Sequence, residues 1–168
     1  MVIAGTLREV ADALAPHLPA QARGTLPARL DAWAQAARMR PVCELAALTR
    51  RLRGAGLRLG LATNDSEAAA RAHLGPHADA FDFIAGYDSG HGAKPAPGMV
   101  LAFCRVAGLR PAEVAMVGDS LHDLAAARAA GAWALAVLTG VADRATLAPH
   151  ADAVLDSVAD LPRFLDLP

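Results

Sequence analysis

Three short stretches of this sequence carry the residue types that phosphate chemistry needs. The first is Thr63-Asn64-Asp65-Ser66, a hydroxyl followed by a turn that leads toward a helix start. Free backbone N–H groups at such a start cradle a phosphate, and a neighbouring hydroxyl adds a donor. The same four residues are equally ordinary turn and N-cap residues. The second stretch runs from Gly86 to Pro97, where Pro95 and Pro97 stiffen the segment that carries Lys94. An ammonium held there offsets phosphate charge and keeps nearby carboxylates ionised, although a solvated loop lysine fits the same residues. The third is Gly118-Asp119-Ser120-Leu121-His122-Asp123. Asp119 lies at the tip of an apolar run and Asp123 one helical turn later, so both carboxylates face one cleft. Such a pair suits Mg²⁺, a hard cation that takes oxygen ligands and keeps several waters. Helix capping by Asp119 and dipole complementation by Asp123 form the alternative.

Lysine usage singles out Lys94 again. Of the 16 basic residues 15 are arginine, and Lys94 is the only lysine. In a chain this biased toward arginine, a lone lysine hints at a position that needs a compact ammonium rather than a planar fork.

Chemistry at three separated loops requires elements that bring them together. Residues 1–40 read as helix, with a capping box at Thr6-Leu-Arg-Glu9 and Leu7, Val10 and Leu14 on one face. Pro16 ends that helix, and Pro27 sits in the first turn of another whose inner stripe is Leu30, Trp33 and Ala37. From Pro41 helices and strands alternate. Strands are predicted at Leu57–Ala62, Phe81–Ala85, Val114–Gly118, Trp133–Leu138 and Ala153–Leu155. Helices are predicted at Glu44–Arg53, from Ser66 to Gly75, at Met99–Ala107 (Met99, Phe103 and Val106 inward), Leu121–Ala130 and Leu161–Leu165. This alternation predicts an α/β, Rossmann-like doubly wound parallel sheet. Ligands bind beyond the carboxyl ends of such strands, just after Ala62, Ala85 and Gly118.

The composition narrows the partners. Hydrophobic residues make up 54% of 168, enough for one substantial core. A net charge of −1 offers no bulk field for nucleic acid or an anionic membrane surface. No apolar run approaches the ~20 residues of a membrane span. Cys43 and Cys104 form neither a disulfide framework nor a zinc site and read as thiols on buried helical faces, in keeping with a reducing cytoplasm. Trp33 and Trp133 read as packing residues.

In order and context, Thr63-Asn64-Asp65, Lys94-Pro95-Ala96-Pro97 and Gly118-Asp119-Ser120-x-x-Asp123 resemble the second, third and fourth motifs of the haloacid dehalogenase superfamily. The similarity is to its phosphoglycolate phosphatase-like subgroup and covers the chain from about Pro41 onward. The resemblance implies that Thr63, helped by the Asn64 amide, binds a phosphoryl oxygen. It implies that Lys94 pairs with the phosphoryl group and the catalytic carboxylates, and that Asp119 binds Mg²⁺. Asp123 would hold the metal through a water or orient Lys94. The implied activity is Mg²⁺-dependent hydrolysis of a small phosphorylated metabolite through an aspartyl-phosphate.

The sequence departs from that pattern at one place. The family's first motif is an Asp-x-Asp-x-Thr whose first aspartate is the nucleophile, and no Asp-x-Asp occurs in this sequence. One reading makes residues 1–40 the second half of a helical cap and residues 41–168 a core without its first, central strand. The other makes Val2-Ile3-Ala4-Gly5-Thr6-Leu7 a first motif stripped of its aspartates. The capping box at Thr6 favours the first. Either way the strands ending at Ala62 and Gly118 should flank the central position, so the chain alone is expected to be marginally stable or to associate. A catalytically inactive phosphate and Mg²⁺ binder, or interaction protein, is the alternative function. A phosphosugar mutase on this fold would need the same aspartate.

Overall fold

The structure is a computed structural model that describes residues 5–167; Val2, Ile3 and Ala4 lie outside that range. Thr6 caps α1 (Leu7–Leu14) with the expected box: its hydroxyl accepts from the Glu9 N–H, and the Glu9 carboxylate accepts from the Thr6 N–H at 2.6 Å. Pro16 diverts the chain into a 3-10 turn, and α2 (Ala20–Arg23) and α3 (Leu26–Ala36) follow. Then come α4 (Leu45–Gly54), β1 (Gly60–Ala62), α5 (Glu67–Leu74), β2 (Phe83–Ala85) and α6 (Gly98–Ala107). The chain continues through β3 (Ala115–Gly118), α7 (Leu121–Ala130), β4 (Trp133–Val137), α8 (Arg144–Leu147), β5 (Ala153–Leu155) and α9 (Leu161–Phe164). No described helix is long and apolar enough to cross a membrane.

All strand pairs are parallel, and helices cover both faces, so the doubly wound α/β architecture holds. One face of β3 and β4 packs on α6 and α7 through Val100, Cys104, Leu124 and Ala127. The other face packs on α4 and α9 through Leu52, Leu135 and Leu161. Among the described residues, however, the strands form two sheets rather than one. β1 pairs with β2, while β3, β4 and β5 make a separate three-stranded sheet.

Ladder parity shows which backbone groups of β1 and β3 are left without a ladder partner among the described residues. The Thr63 N–H donates to the Ala85 carbonyl and the Trp133 N–H to the Val114 carbonyl. Backbone groups alternate sides along a strand, so Leu61 and Thr63 face β2 while Gly60 and Ala62 face away. In the same way Val114 and Met116 face β4, and Ala115 and Val117 face away. Both outward edges line one cavity of about 770 Å³, whose apolar walls include Phe103, Leu135 and Leu161. Burial tells the same story: β4 is buried beyond its first residue, whereas no residue of β1 or β3 is.

The helical N-terminal region docks on α5 through α3. A ring nitrogen of His73 lies 2.7 Å from the Ala34 carbonyl, and the Ser66 hydroxyl donates to Asp31 at 2.5 Å. Leu26, at the start of α3, is the residue that becomes buried. Trp33 does not: it is 59% exposed, with the Arg29 guanidinium over its ring at 5.1 Å. α3 packs against α1, α2 and α5, which together bury a narrower stripe than its periodicity offers. Val106 and Trp133 are also exposed, the latter at the rim of the cavity. Cys104 is buried in α6 as expected, but Cys43 lies before α4, outside any helix, and is only half-buried.

Candidate active site at the strand ends

The ends of β1 and β3 converge on one side chain. Lys94 Nζ donates to the Ala62 carbonyl at 2.8 Å and to Asp123 Oδ1 at 2.6 Å. The lysine and aspartate side chains are only 11% and 6% exposed, so water weakens this ion pair little. The ammonium therefore ties the last residue of β1 to the first turn of α7, across two sheets that share no ladder among the described residues.

The acidic turn is built by its neighbours. Ser120 caps α7: its N–H and its hydroxyl both donate to Asp123 Oδ2, at 3.1 and 2.8 Å. Each oxygen of Asp123 is thus already engaged, one by Lys94 and one by Ser120. Gly118 permits this fold-back, because a Cβ there would collide with the Asp123 carboxyl group. Gly140 does the same for Asp119, whose Oδ2 would meet a Cβ at 2.5 Å.

Asp119 itself stays open to the cleft. Loss of hydration from the surrounding protein, followed by the negative charge of Asp123, pushes its carboxyl above the ordinary aspartate value; Lys94 opposes this more weakly. A carboxylate held at that disadvantage gains most from an added cation. Among the described residues no group of three or more histidine, cysteine, aspartate or glutamate side chains could hold a metal. That donor set excludes a closed zinc-type site, yet suits Mg²⁺, which binds through one or two carboxylates and completes its shell with water and phosphate oxygens. Asp119 fits a direct ligand. Asp123, with both oxygens engaged, fits the role of orienting Lys94.

The residues expected from the sequence do not all line one surface. Ala62, Lys94, Asp119, Asp123 and Thr139 border a cavity of about 260 Å³. Thr63 and Asn64 follow Ala62 in the chain but are not among the residues that border it. The Thr63 hydroxyl accepts from the Asp65 N–H at 3.0 Å. Its proton remains for an acceptor beyond the turn. Asn64 turns its side-chain amide to the Lys94 backbone, donating to the carbonyl and accepting from the N–H, each at 2.9 Å. The Lys94-Pro95 peptide is cis. Thr139, one residue beyond the predicted end of β4, escaped the sequence reading. The strand-end rule that flagged Thr63 and Asp119 would have found it if applied to that strand too.

Known proteins resemble this chain in sequence and in fold. The sequence model of the haloacid dehalogenase-like hydrolases matches residues 6–131, a span that includes Thr63, Asn64, Lys94, Asp119 and Asp123. A phosphoglycolate phosphatase of Chromobacterium violaceum is 45% identical over 113 residues, 66% of this chain and 50% of that protein. One from Rhodospirillum rubrum is 35% identical over 124 residues, 73% of this chain and 52% of that protein. The chain thus spans about half the length of the curated relatives it matches. Among solved structures, CbbY from Rhodobacter sphaeroides in complex with phosphate aligns over 98% of this chain and 79% of its own. That alignment has a TM-score of 0.70 and 29% identity. A hydrolase from Pseudomonas syringae, at 21% identity and a TM-score of 0.79 over 98% of this chain and 79% of its own, shares the fold.

Proposed function

The chain belongs to the haloacid dehalogenase-like hydrolase family, and we propose that its strand-end site binds the phosphoryl group of a small phosphorylated metabolite together with Mg²⁺. The observation that carries this reading is the Lys94 ammonium, fixed 2.6 Å from Asp123 beside the open carboxylate of Asp119. In this reading Thr63 and the Asn64 N–H hold one phosphoryl oxygen, Lys94 neutralises another, and Asp119 supplies the metal oxygen. Bound Mg²⁺ would lower the charge repulsion between the phosphate and the approaching carboxylate. Lys94 and the turn amides would stabilise negative charge on the transferring oxygens without having to reorganise.

A phosphatase also needs a group that attacks phosphorus. We place the attacking aspartate on an extended segment seated between β1 and β3, where Gly60, Ala62, Ala115 and Val117 turn their backbone groups. Such a segment, running parallel to both strands, would deliver its carboxyl end beside Lys94. Residues 1–40 serve in this reading as part of a helical cap. The subgroup reading is phosphoglycolate-type phosphatase, supported by the curated relatives. Cys43 and Cys104, both free, accord with a reducing cytoplasm. Because the sequence holds no Asp-x-Asp, binding without turnover is the second reading.

Two measurements separate them. Titration with inorganic phosphate in the presence of Mg²⁺ should show binding that weakens at least about tenfold in Lys94→Ala and Asp119→Ala, roughly one lost charge-assisted contact each. Turnover of an aryl phosphate should be absent from the 168-residue chain and appear when a strand bearing Asp-x-Asp is joined to it. Turnover by the chain alone that is lost in Asp119→Ala would refute this placement of the nucleophile. Phosphate binding indifferent to both substitutions would refute the site.

A further inference from the structure

We infer that Asn64 is a positioning residue for Lys94, acting through its side-chain amide; the inference rests on the phosphoryl role proposed for that lysine. Lys94 belongs to the irregular connection between β2 and α6, so no ladder or helix fixes its main chain. Two anchors hold the ammonium, the Ala62 carbonyl and Asp123 Oδ1. The Asn64 side chain holds the backbone: Nδ2 donates to the Lys94 carbonyl and Oδ1 accepts from the Lys94 N–H, each at 2.9 Å. This reciprocal pair imitates one rung of a β-ladder between the turn after β1 and the lysine-bearing loop.

The chemistry selects asparagine. Aspartate keeps the acceptor but has no donor for the carbonyl, and it adds a negative charge beside the site. Glutamine offers both groups on a stem one methylene longer, which moves them by about 1.5 Å, the length of one C–C bond. Alanine offers neither. Lysine has a flexible four-carbon stem, and holding its ammonium in one place costs entropy that a fixed backbone reduces. The clasp ties two loops together: the turn that carries Thr63 and the connection that carries Lys94. A displacement of one is therefore passed to the other.

The sequence offers a direct readout, since Lys94 is the only lysine. Lysine labelled with ¹³C at Cε gives a single side-chain signal from the whole protein. In the wild-type chain that signal should be narrow and shifted from the position of free lysine. In Asn64→Ala it should broaden and move toward the free position, with far-UV circular dichroism and the β4 amide signals unchanged. Asn64→Asp, close in shape, should fold and give an intermediate shift. Binding of inorganic phosphate with Mg²⁺ should weaken about three- to tenfold in both variants. An unchanged Lys94 signal in both variants overturns the inference. So does a change accompanied by equal shifts throughout β4, which would mark general structural damage. The lysine signal is read without phosphate, so failure of the chain to bind phosphate would count against the proposed function alone.

Discussion

At Asp119 stability and the proposed metal-binding role pull in opposite directions. Its carboxyl is raised, first by desolvation and then by Asp123, so its ionised form destabilises the folded chain when no cation is present. The folded state then holds this proton more tightly than the unfolded state does. Stability without metal should fall as pH rises from the ordinary aspartate range through the raised value. An asparagine side chain at this position carries no such charge. Asp119→Asn should therefore flatten that slope and raise Tm at neutral pH, by no more than about 2 °C because solvent screens this exposed side chain, while removing the response to Mg²⁺. A substitution that lowers Tm without metal would show that Asp119 is held by contacts that outweigh its charge. Neighbouring residues make Asp123 a different case. Lys94 and Ser120 occupy its oxygens, so it works as part of the frame around the ammonium.

At the level of elements, β1 is only three residues long and is fastened at its amino end by Asp82. The Asp82 carboxylate accepts from the Leu59 N–H at 2.8 Å and pairs with Arg53 of α4 at 3.0 Å and with Arg58 at 3.1 Å. Desolvation pushes this carboxyl up, but the Leu59 N–H and the two arginines outweigh it, and its net position is below the ordinary value. The stabilisation is therefore complete above the ordinary aspartate range and disappears as pH falls through the lowered value. Both arginines are partly exposed, at 42% and 47%, which limits the effect through solvent screening. Asp82→Asn should lower stability by about 1 kcal/mol at neutral pH. In urea unfolding, its deficit against wild type should shrink on acidification; a deficit independent of pH would assign the effect to packing.

For the whole molecule, the deciding feature is the pair of strand edges along the large cavity that no ladder among the described residues covers. Unpaired strand edges recruit other strands, and half-exposed apolar walls favour association. Amide exchange should be fast at Gly60, Ala62, Ala115 and Val117 and slow along β4, despite their membership of the same α/β core. Sedimentation at increasing concentration should reveal self-association. Slow exchange at all four edge amides in a strictly monomeric sample would contradict this view. Seating a strand in the cavity should protect those amides and sharpen thermal unfolding together, because both reflect the same edges.

The sequence by itself determined the local order of this protein. The Thr6–Glu9 capping box, Pro27 in the first turn of α3, the span of α7 and the placement of Lys94 and Asp119 at loop positions were all legible. Each depends on spacing within a few residues, which sequence records directly. Strand lengths were less legible: β1 was expected from Leu57 and begins at Gly60, since ladder formation depends on a partner as well as on propensity. The inner stripes were right at Leu52 and Met99 and wrong at Trp33 and Val106, because periodicity names a face but not the width of the neighbour covering it. Tertiary structure alone decided that Lys94 bridges Ala62 and Asp123, that Asn64 grips the Lys94 backbone, and that Thr139 borders the site. Those contacts join residues tens of positions apart, and their geometry is set by how β1 and β3 lie against one cavity. Nothing in the local sequence encodes that distance.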